Sequence, residues 1–258
     1  MKNIITLTTD FGSQDGYVGA VKGVILSINP KAEIIDISHQ IPAHNVLAGA
    51  FCLFNSGSFF PEGTIHVAVV DPGVGGKRKA ILIQTERYFL IGPDNGIFSL
   101  FLRTEKIKRM VSVTNPKYFL GKVSATFQGR DIFAPVAAYL SLGIEPKEFG
   151  LTLPEIARLS LPGIEKRRGG IIGQIIHIDN FGNLVSNVKA QELNEFKIMK
   201  IKVRKRTIPQ LSRTFSEVKK GELLAYIGSS GFFEIGIREG NARLELDAKM
   251  GDQIEIQI

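Results

Sequence analysis

Three stretches of this sequence place carboxylates, an arginine and small residues where an apolar, β-branched run gives way to a loop. In Thr8-Thr9-Asp10-Phe11-Gly12-Ser13-Gln14-Asp15-Gly16 a strand-like run enters a glycine-flanked loop with two carboxylates, and a helical pattern follows. A carboxylate at such a point commonly accepts hydrogen bonds from ribose hydroxyls. Asp15 can equally be read as the cap of the helix, whereas Asp10 is harder to explain by capping. In Val70-Asp71-Pro72-Gly73-Val74-Gly75-Gly76-Lys77-Arg78 the glycines let the backbone fold back, so that Arg78 can approach Asp71. The plainer alternative is a turn closed by a salt bridge. The stretch lacks the first glycine and the Ser/Thr of a phosphate-binding P-loop. Ser124-Ala125-Thr126-Phe127-Gln128-Gly129-Arg130-Asp131 brings polar groups to the start of a helix, or is only a loop and cap. A fourth cluster, Asp179-Asn180-Phe181-Gly182-Asn183, reads by itself as a hairpin turn. The four histidines, His39, His44, His66 and His177, show no metal-ligand spacing.

The elements that must hold these groups follow from hydrophobic periodicity. Strands are expected over residues 4–9, 34–37, 65–70, 80–84 and 88–91, the last two joined by a tight turn. Helices are expected over 16–28, ended by Asn29-Pro30, over 46–54, and over 131–142 with Asp131 as N-cap. Strands alternating with helices indicate an α/β domain with a largely parallel sheet, in which ligands bind beyond the carboxyl ends of the strands. Residues 161–170 are punctuated by proline and glycine and read as a linker. Beyond them, β-rich runs at 171–178, 184–188, 198–203, 223–227, 232–237 and 254–258 predict a smaller antiparallel, barrel-like domain. The expected division is a catalytic domain over 1–163 and a β domain over 170–258.

Hydrophobic residues make up 44% and charged residues 22% of the 258, which excludes a disordered chain. No apolar run approaches the ~20 residues needed to span a bilayer, and the N-terminus reads as a strand rather than a signal peptide. A cytoplasmic protein without membrane association is therefore expected. The single cysteine, Cys52, rules out an intramolecular disulfide and lies in an apolar helical stretch, where packing is its expected role. The net charge is +7. Its densest basic run, 197–206, alternates with apolar residues like the outer face of a half-buried strand. The chain has no tryptophan, and no aromatic residues interleave with these charges. A nucleic-acid platform is not expected.

All of these clusters, in this order and with Gly92-Pro93-Asp94-Asn95-Gly96 added, resemble the S-adenosylmethionine hydroxide adenosyltransferase family, whose halogenating relatives are the fluorinase and chlorinase. The resemblance spans essentially the whole chain. It implies hydrolysis of S-adenosylmethionine at the ribose 5′ carbon to adenosine and methionine, with no cofactor or metal. It also implies an α/β domain followed by a β-barrel-like domain, in a homotrimer whose sites lie between one subunit's first domain and the next subunit's second. By resemblance Asp10 holds the ribose hydroxyls, and Asp15, Thr126 and Phe127 are further binding candidates. Asp179, Phe181 and Asn183 would meet the substrate from across the interface, with Ser229, Ser230, Phe232, Glu234 and Ile237 as the remaining wall. Asp71 and Arg78 match two members of the polar triad that activates water. The third is a histidine in the family pattern and is Gln128 here. A neutral amide is a poor base, so a non-catalytic protein that binds S-adenosylmethionine or adenosine is the alternative. Halide transfer is disfavoured by Asp71, since a carboxylate beside the nucleophile repels halide.

Overall fold

The apolar run at the start of the chain becomes the strand around which the first sheet is built. The computed structural model describes residues 4–193 and 198–258. Met1 to Asn3, and Lys197 at the head of the basic run, lie outside the described residues. The chain divides into two units, one ending at Leu159 and the other beginning at Ser160.

In the first unit β1 (Ile4–Thr9), α1 (Tyr17–Ile28), β2 (Glu33–Ser38), α2 (Val46–Gly57) and β3 (Ile65–Val69) form two successive parallel crossovers. The hairpin of β4 (Ala80–Thr85) and β5 (Phe89–Pro93) follows, then β6 (Ile107–Val113), α3 (Ala134–Ser141) and β7 (Gly150–Thr152). The strand order is β2-β1-β3-β5-β4-β6-β7. The first four are mutually parallel, and the pairings β5–β4, β4–β6 and β6–β7 are each antiparallel, so the sheet is mixed. Both faces are covered, so its central strands β1 and β3 are buried along their whole length. Val21 and Ile25 of α1 join Val136 and Leu140 of α3 over Leu7 and Val67. Ala48 and Leu53 of α2 pack over Ala68 and Ile81 on the other face. On that side His66 is wholly buried, its Nδ1 2.7 Å from Thr6 Oγ1 and its ring against Phe60, Tyr88 and Phe101. Because α1 and α2 carry the chain to opposite sides of β1, the order reverses between β1 and β3. A crevice opens at the carboxyl ends of such a pair.

Two helix starts differ from the sequence expectation. Gly16, not Asp15, occupies the N-cap of α1, and no side chain caps it. Asp131 is not an N-cap: Gly129–Phe133 forms a π turn, and the α-helix begins only at Ala134. The cause is Pro135, which has no N–H to give the carbonyl four residues back. The Asp131 carbonyl accepts instead from Leu120 N–H at 3.0 Å. The Asp131 side chain, fully buried, accepts from Ser124 N–H at 2.7 Å and pairs with Arg130. It ties down the loop that precedes it.

The second unit is one antiparallel sheet. Its strands are β8 (Glu165–Arg167), β9 (Gly170–Ile178), β10 (Leu184–Lys189), β11 (Lys200–Val203), β12 (Arg206–Ile208), β13 (Leu223–Ile227), β14 (Phe232–Ile237) and β15 (Gln253–Gln257), with α4 (Ala242–Leu246) before the last. The order runs β12-β11-β15-β9-β10-β14-β13, with β8 added to β9. The sheet coils until Leu211, just beyond β12, bridges to Ala225 of β13, so the barrel is nearly closed. The basic run is a hairpin rather than one strand, since Arg204 takes a left-handed φ of 52° between β11 and β12. Three of its cations face acids, Lys202 with Glu255, Arg204 with Asp247 and Asp252, and Arg206 with Glu245.

Candidate active site

Asp10 and Asp71 follow the paired ends of β1 and β3, where Thr9 lies beside Val69. The two carboxylates therefore emerge at the reversal point of the sheet. They line a cavity of about 360 Å³ together with Thr126, Phe127 and Gln128. Phe11, Tyr17, His44 and Val74 also line it. Asp15 is exposed and stands outside the lining.

The turn after β3 brings Arg78 back onto Asp71. Arg78 Nε lies 3.1 and 2.9 Å from the two carboxylate oxygens, and a terminal guanidinium nitrogen bonds the second. Both side chains are largely buried, 5% exposed for Asp71 and 11% for Arg78. The return needs glycine at position 75: its φ is +75°, and a Cβ there would stand 2.5 Å from the Ala125 carbonyl oxygen. That close approach packs the Asp71 turn against the loop carrying Gln128. The same Arg78 nitrogen reaches Gln128 Oε1 at 2.5 Å, and the Phe133 ring lies 5.6 Å from the guanidinium carbon. Arginine can only donate, so the oxygen of the Gln128 amide must face it and the amide NH₂ must point elsewhere. Below the turn, Asn95 Nδ2 donates to the Val70 carbonyl at 2.8 Å, and Asp94 accepts from Ala157 N–H at 2.7 Å. The Gly-Pro-Asp-Asn-Gly segment is thus a brace for the end of β3.

Asp10 is held by the backbone N–H of His44, 2.9 Å from Oδ2. The same cavity has an aromatic wall. Phe127 meets Phe11 edge-on at 5.7 Å and Tyr17 at 5.2 Å between ring centroids. Such a wall suits a flat base or a sulfonium cation.

The remaining candidates belong to the second unit. Asp179 closes its own turn, accepting from Phe181 N–H at 2.9 Å, Asn183 N–H at 2.8 Å and Asn183 Nδ2 at 2.8 Å. The turn leaves the Phe181 ring 73% exposed. Ser229 and Ser230 sit in the tight connection between β13 and β14. Phe232, Glu234 and Ile237 are buried in β14, and Ile237 packs in the barrel core. Burial pushes the Glu234 carboxyl up, opposed by a hydrogen bond from Tyr226 and reinforced by the charge of Asp179. Burial, with the charge of Glu234, likewise raises the Tyr226 phenol.

Phe11, Tyr17, Val74 and His44 were not among the sequence candidates. Phe11 and Val74 lie inside stretches singled out for their polar neighbours, and Tyr17 begins the helix after the first of them. His44 follows Pro42 beyond a strand end, a position that sequence spacing alone does not mark. Among the described residues, no group of three or more His, Cys, Asp or Glu side chains is arranged to hold a metal ion.

Comparison with known proteins follows the same two units. The sequence model of the SAM hydroxide adenosyltransferase N-terminal domain matches residues 5–150, and that of the C-terminal domain matches 173–255. A Methanocaldococcus jannaschii protein named (R)-S-adenosyl-L-methionine hydrolase is 39% identical over 98% of this chain and 95% of its own. A fluorinase from Actinoplanes sp. is 27% identical over 74% of each chain. The crystal structure of an uncharacterized conserved protein from Thermotoga maritima superimposes with a TM-score of 0.91 at 35% identity, covering 99% of this chain and 100% of the other.

Proposed function

The chain belongs to the S-adenosylmethionine hydroxide adenosyltransferase family, and we propose that its reaction, hydrolysis of S-adenosylmethionine to adenosine and methionine, takes place in the cavity between Asp10 and Asp71. The observation that carries this reading is the continuous contact from Asp71 through Arg78 to Gln128 at the sheet's reversal point.

The chemistry asks little of the leaving group. The sulfonium already carries positive charge, so the C5′–S electron pair returns to sulfur and neutral methionine thioether departs. The nucleophile is the difficulty, because bulk water has a pKa of about 15.7. Water must sit in line behind C5′, form the new C–O bond and lose a proton. Placement can supply effective molarities of roughly 10⁵–10⁸ M, whereas general base catalysis adds about 10²–10⁴-fold. Positioning contributes more than proton transfer, which makes a glutamine tolerable at position 128. With its oxygen turned to Arg78, Gln128 has N–H donors left to orient the water oxygen. Asp71 is then the group in this chain that accepts the proton, and Arg78 holds its carboxylate in place. Asp10 takes the ribose hydroxyls, and the Phe11–Tyr17–Phe127 wall meets the base or the sulfonium.

The M. jannaschii relative is named for the R epimer at sulfur, and the same epimer is the substrate proposed here. The division of labour assigns catalysis to residues 1–163 and a second binding wall to residues 170–258. That wall comprises Asp179, Phe181, Asn183, Ser229, Ser230, Phe232 and Glu234, with Ile237 backing it from the barrel core, and in a homotrimer it would close a neighbouring subunit's cavity. The exposed Phe181 ring supports this, as an apolar surface in want of a partner. Among the described residues no helix is long and apolar enough to cross a membrane, in keeping with the cytoplasmic location proposed. Chromatography of incubations with the separated R and S epimers tests the reading. Adenosine and methionine should appear in equal amounts, faster from R, and an equal or faster reaction from S would remove the epimer assignment.

A further inference from the structure

His39 lies outside the cavity lining, yet it stands in an ordered polar chain that ends at the loop of Asp10. The chain begins on α1, where Lys22 Nζ donates to Asp36 Oδ2 at 2.6 Å. Asp36 Oδ1 is 3.0 Å from His39 Nε2, and His39 Nδ1 is 2.8 Å from Thr9 Oγ1. Thr9 Oγ1 in turn accepts from Phe11 N–H at 3.2 Å. Nε2 faces a carboxylate that can only accept, at ion-pair distance without hydrogen-bond alignment. A neutral ring that keeps its proton on Nε2 uses Nδ1 to accept from the Thr9 hydroxyl, whose oxygen keeps a lone pair for Phe11.

The backbone is shaped to make this chain. Leu7 pairs with Asp36 but Thr8 pairs with Ser38, so β2 carries one extra residue at Ile37. Such bulges re-aim side chains near functional sites, and this one sets His39 beside the end of β1. The loop that follows is laced to the Asp10 loop. Gly12 N–H donates to the His39 carbonyl at 2.8 Å, Gln40 Nε2 to Ser13 Oγ at 3.0 Å, and Ile41 N–H to the Thr9 carbonyl at 3.4 Å. It ends at His44, whose φ of 65° is uncommon for a residue other than glycine. That conformation accompanies its N–H bond to Asp10 Oδ2. One carboxylate oxygen is thereby held by the backbone, and the carboxylate lines the cavity.

We infer that His39 is a positioning residue for ribose recognition, acting through Thr9 and the 39–44 loop to hold the Asp10 carboxylate in one orientation. This rests on the reading that Asp10 binds the ribose hydroxyls. A site built around a substrate hydroxyl rejects the analogue that lacks it, because its own polar groups are left unpaired. Discrimination is lost when those groups are no longer held.

The test compares kcat/KM for S-adenosylmethionine with that for its 2′-deoxy and 3′-deoxy analogues. The proteins are the wild type, Asp10→Ala, His39→Leu, Thr9→Val, Thr9→Ser and Asp36→Ala. The preference of the wild type for the full ribose should fall at least tenfold in His39→Leu and Thr9→Val, through KM, with kcat for S-adenosylmethionine within about threefold. Thr9→Ser, which keeps the hydroxyl, should restore it. Asp36→Ala changes a half-exposed residue at little risk to folding and should fall between; it and Thr9→Val decide the matter if His39→Leu does not fold. Folded variants that keep the wild-type preference while Asp10→Ala loses it would overturn the role of His39. An Asp10→Ala enzyme that keeps the preference would overturn the ribose reading itself.

Discussion

The amide oxygen of Gln128 lies 2.5 Å from a guanidinium nitrogen of Arg78, and that same nitrogen also bonds Asp71. One arginine therefore fixes both the carboxylate and the amide. It also decides which end of the amide is free. A histidine at this position would bring a ring nitrogen able to take a proton, whereas the glutamine, its oxygen already engaged by Arg78, has only its N–H donors left. Proton acceptance falls to Asp71, and Gln128 orients.

Gln128→Leu removes the free donors and the bond to Arg78 while keeping the volume similar. It should lower kcat by roughly 10²-fold, the scale of one lost positioned donor. Gln128→His should leave turnover similar or raise it. Steady-state assays of adenosine formation check both, and a collapse of activity in Gln128→His would contradict the division of roles.

Gly75→Ala places a methyl group against the Ala125 carbonyl in a backbone region disfavoured for L side chains. The Asp71 turn must move away from the Gln128 loop. Stability should drop by about 1–3 kcal/mol, and kcat should fall more than KM changes, since the displaced groups act on the water. Thermal melts and kinetics on one preparation separate the two effects. Unchanged kcat with a lowered melting temperature would detach the turn from catalysis.

Burial pushes the His66 imidazole down to about 3. The unfolded chain takes up this proton near pH 6.5, and the folded chain does so only near 3. Unfolding thus binds a proton within that window, and stability falls as pH drops from about 6.5 toward 3. The full effect is on the order of 4–5 kcal/mol. The double variant Thr6→Val/His66→Phe removes both members of the hydrogen-bonded pair and the titration with them. Its melting temperature should decline less steeply than the wild type's between pH 7 and 4.5. Parallel declines would show that His66 is not the group responsible.

Much of the fold was legible because period and punctuation agree with it. The β-branched runs at Ile4–Thr9 and Ile65–Val69 are buried on both faces, as central strands are, and Asn29-Pro30 stops α1 where expected. Other features were decided by contacts that spacing does not encode. The helical pattern over 131–142 runs straight through Pro135, yet by freeing the Asp131 carbonyl for Leu120 this residue turns the helix start into a π turn. The basic alternation concealed a hairpin, because nothing in Arg204 announces a left-handed φ. In the site, Asp71 and Arg78 are seven residues apart and a glycine-rich turn suggested their meeting. Gln128 joins them from a stretch 50 residues beyond Arg78; its polar groups mark that stretch, but only the resemblance links it to Asp71 and Arg78. His44 and the His39 chain depend on a one-residue bulge in β2, which leaves no mark in composition or period.

The most direct test of water attack at C5′ under the control of Asp71 is turnover in ¹⁸O-enriched water, followed by mass spectrometry of both products. The account predicts many equivalents of adenosine carrying one ¹⁸O in the 5′-hydroxyl and unlabelled methionine, with turnover lost in Asp71→Ala while the nucleoside still binds. Label absent from adenosine, product limited to one equivalent per site, or full activity in Asp71→Ala would contradict it.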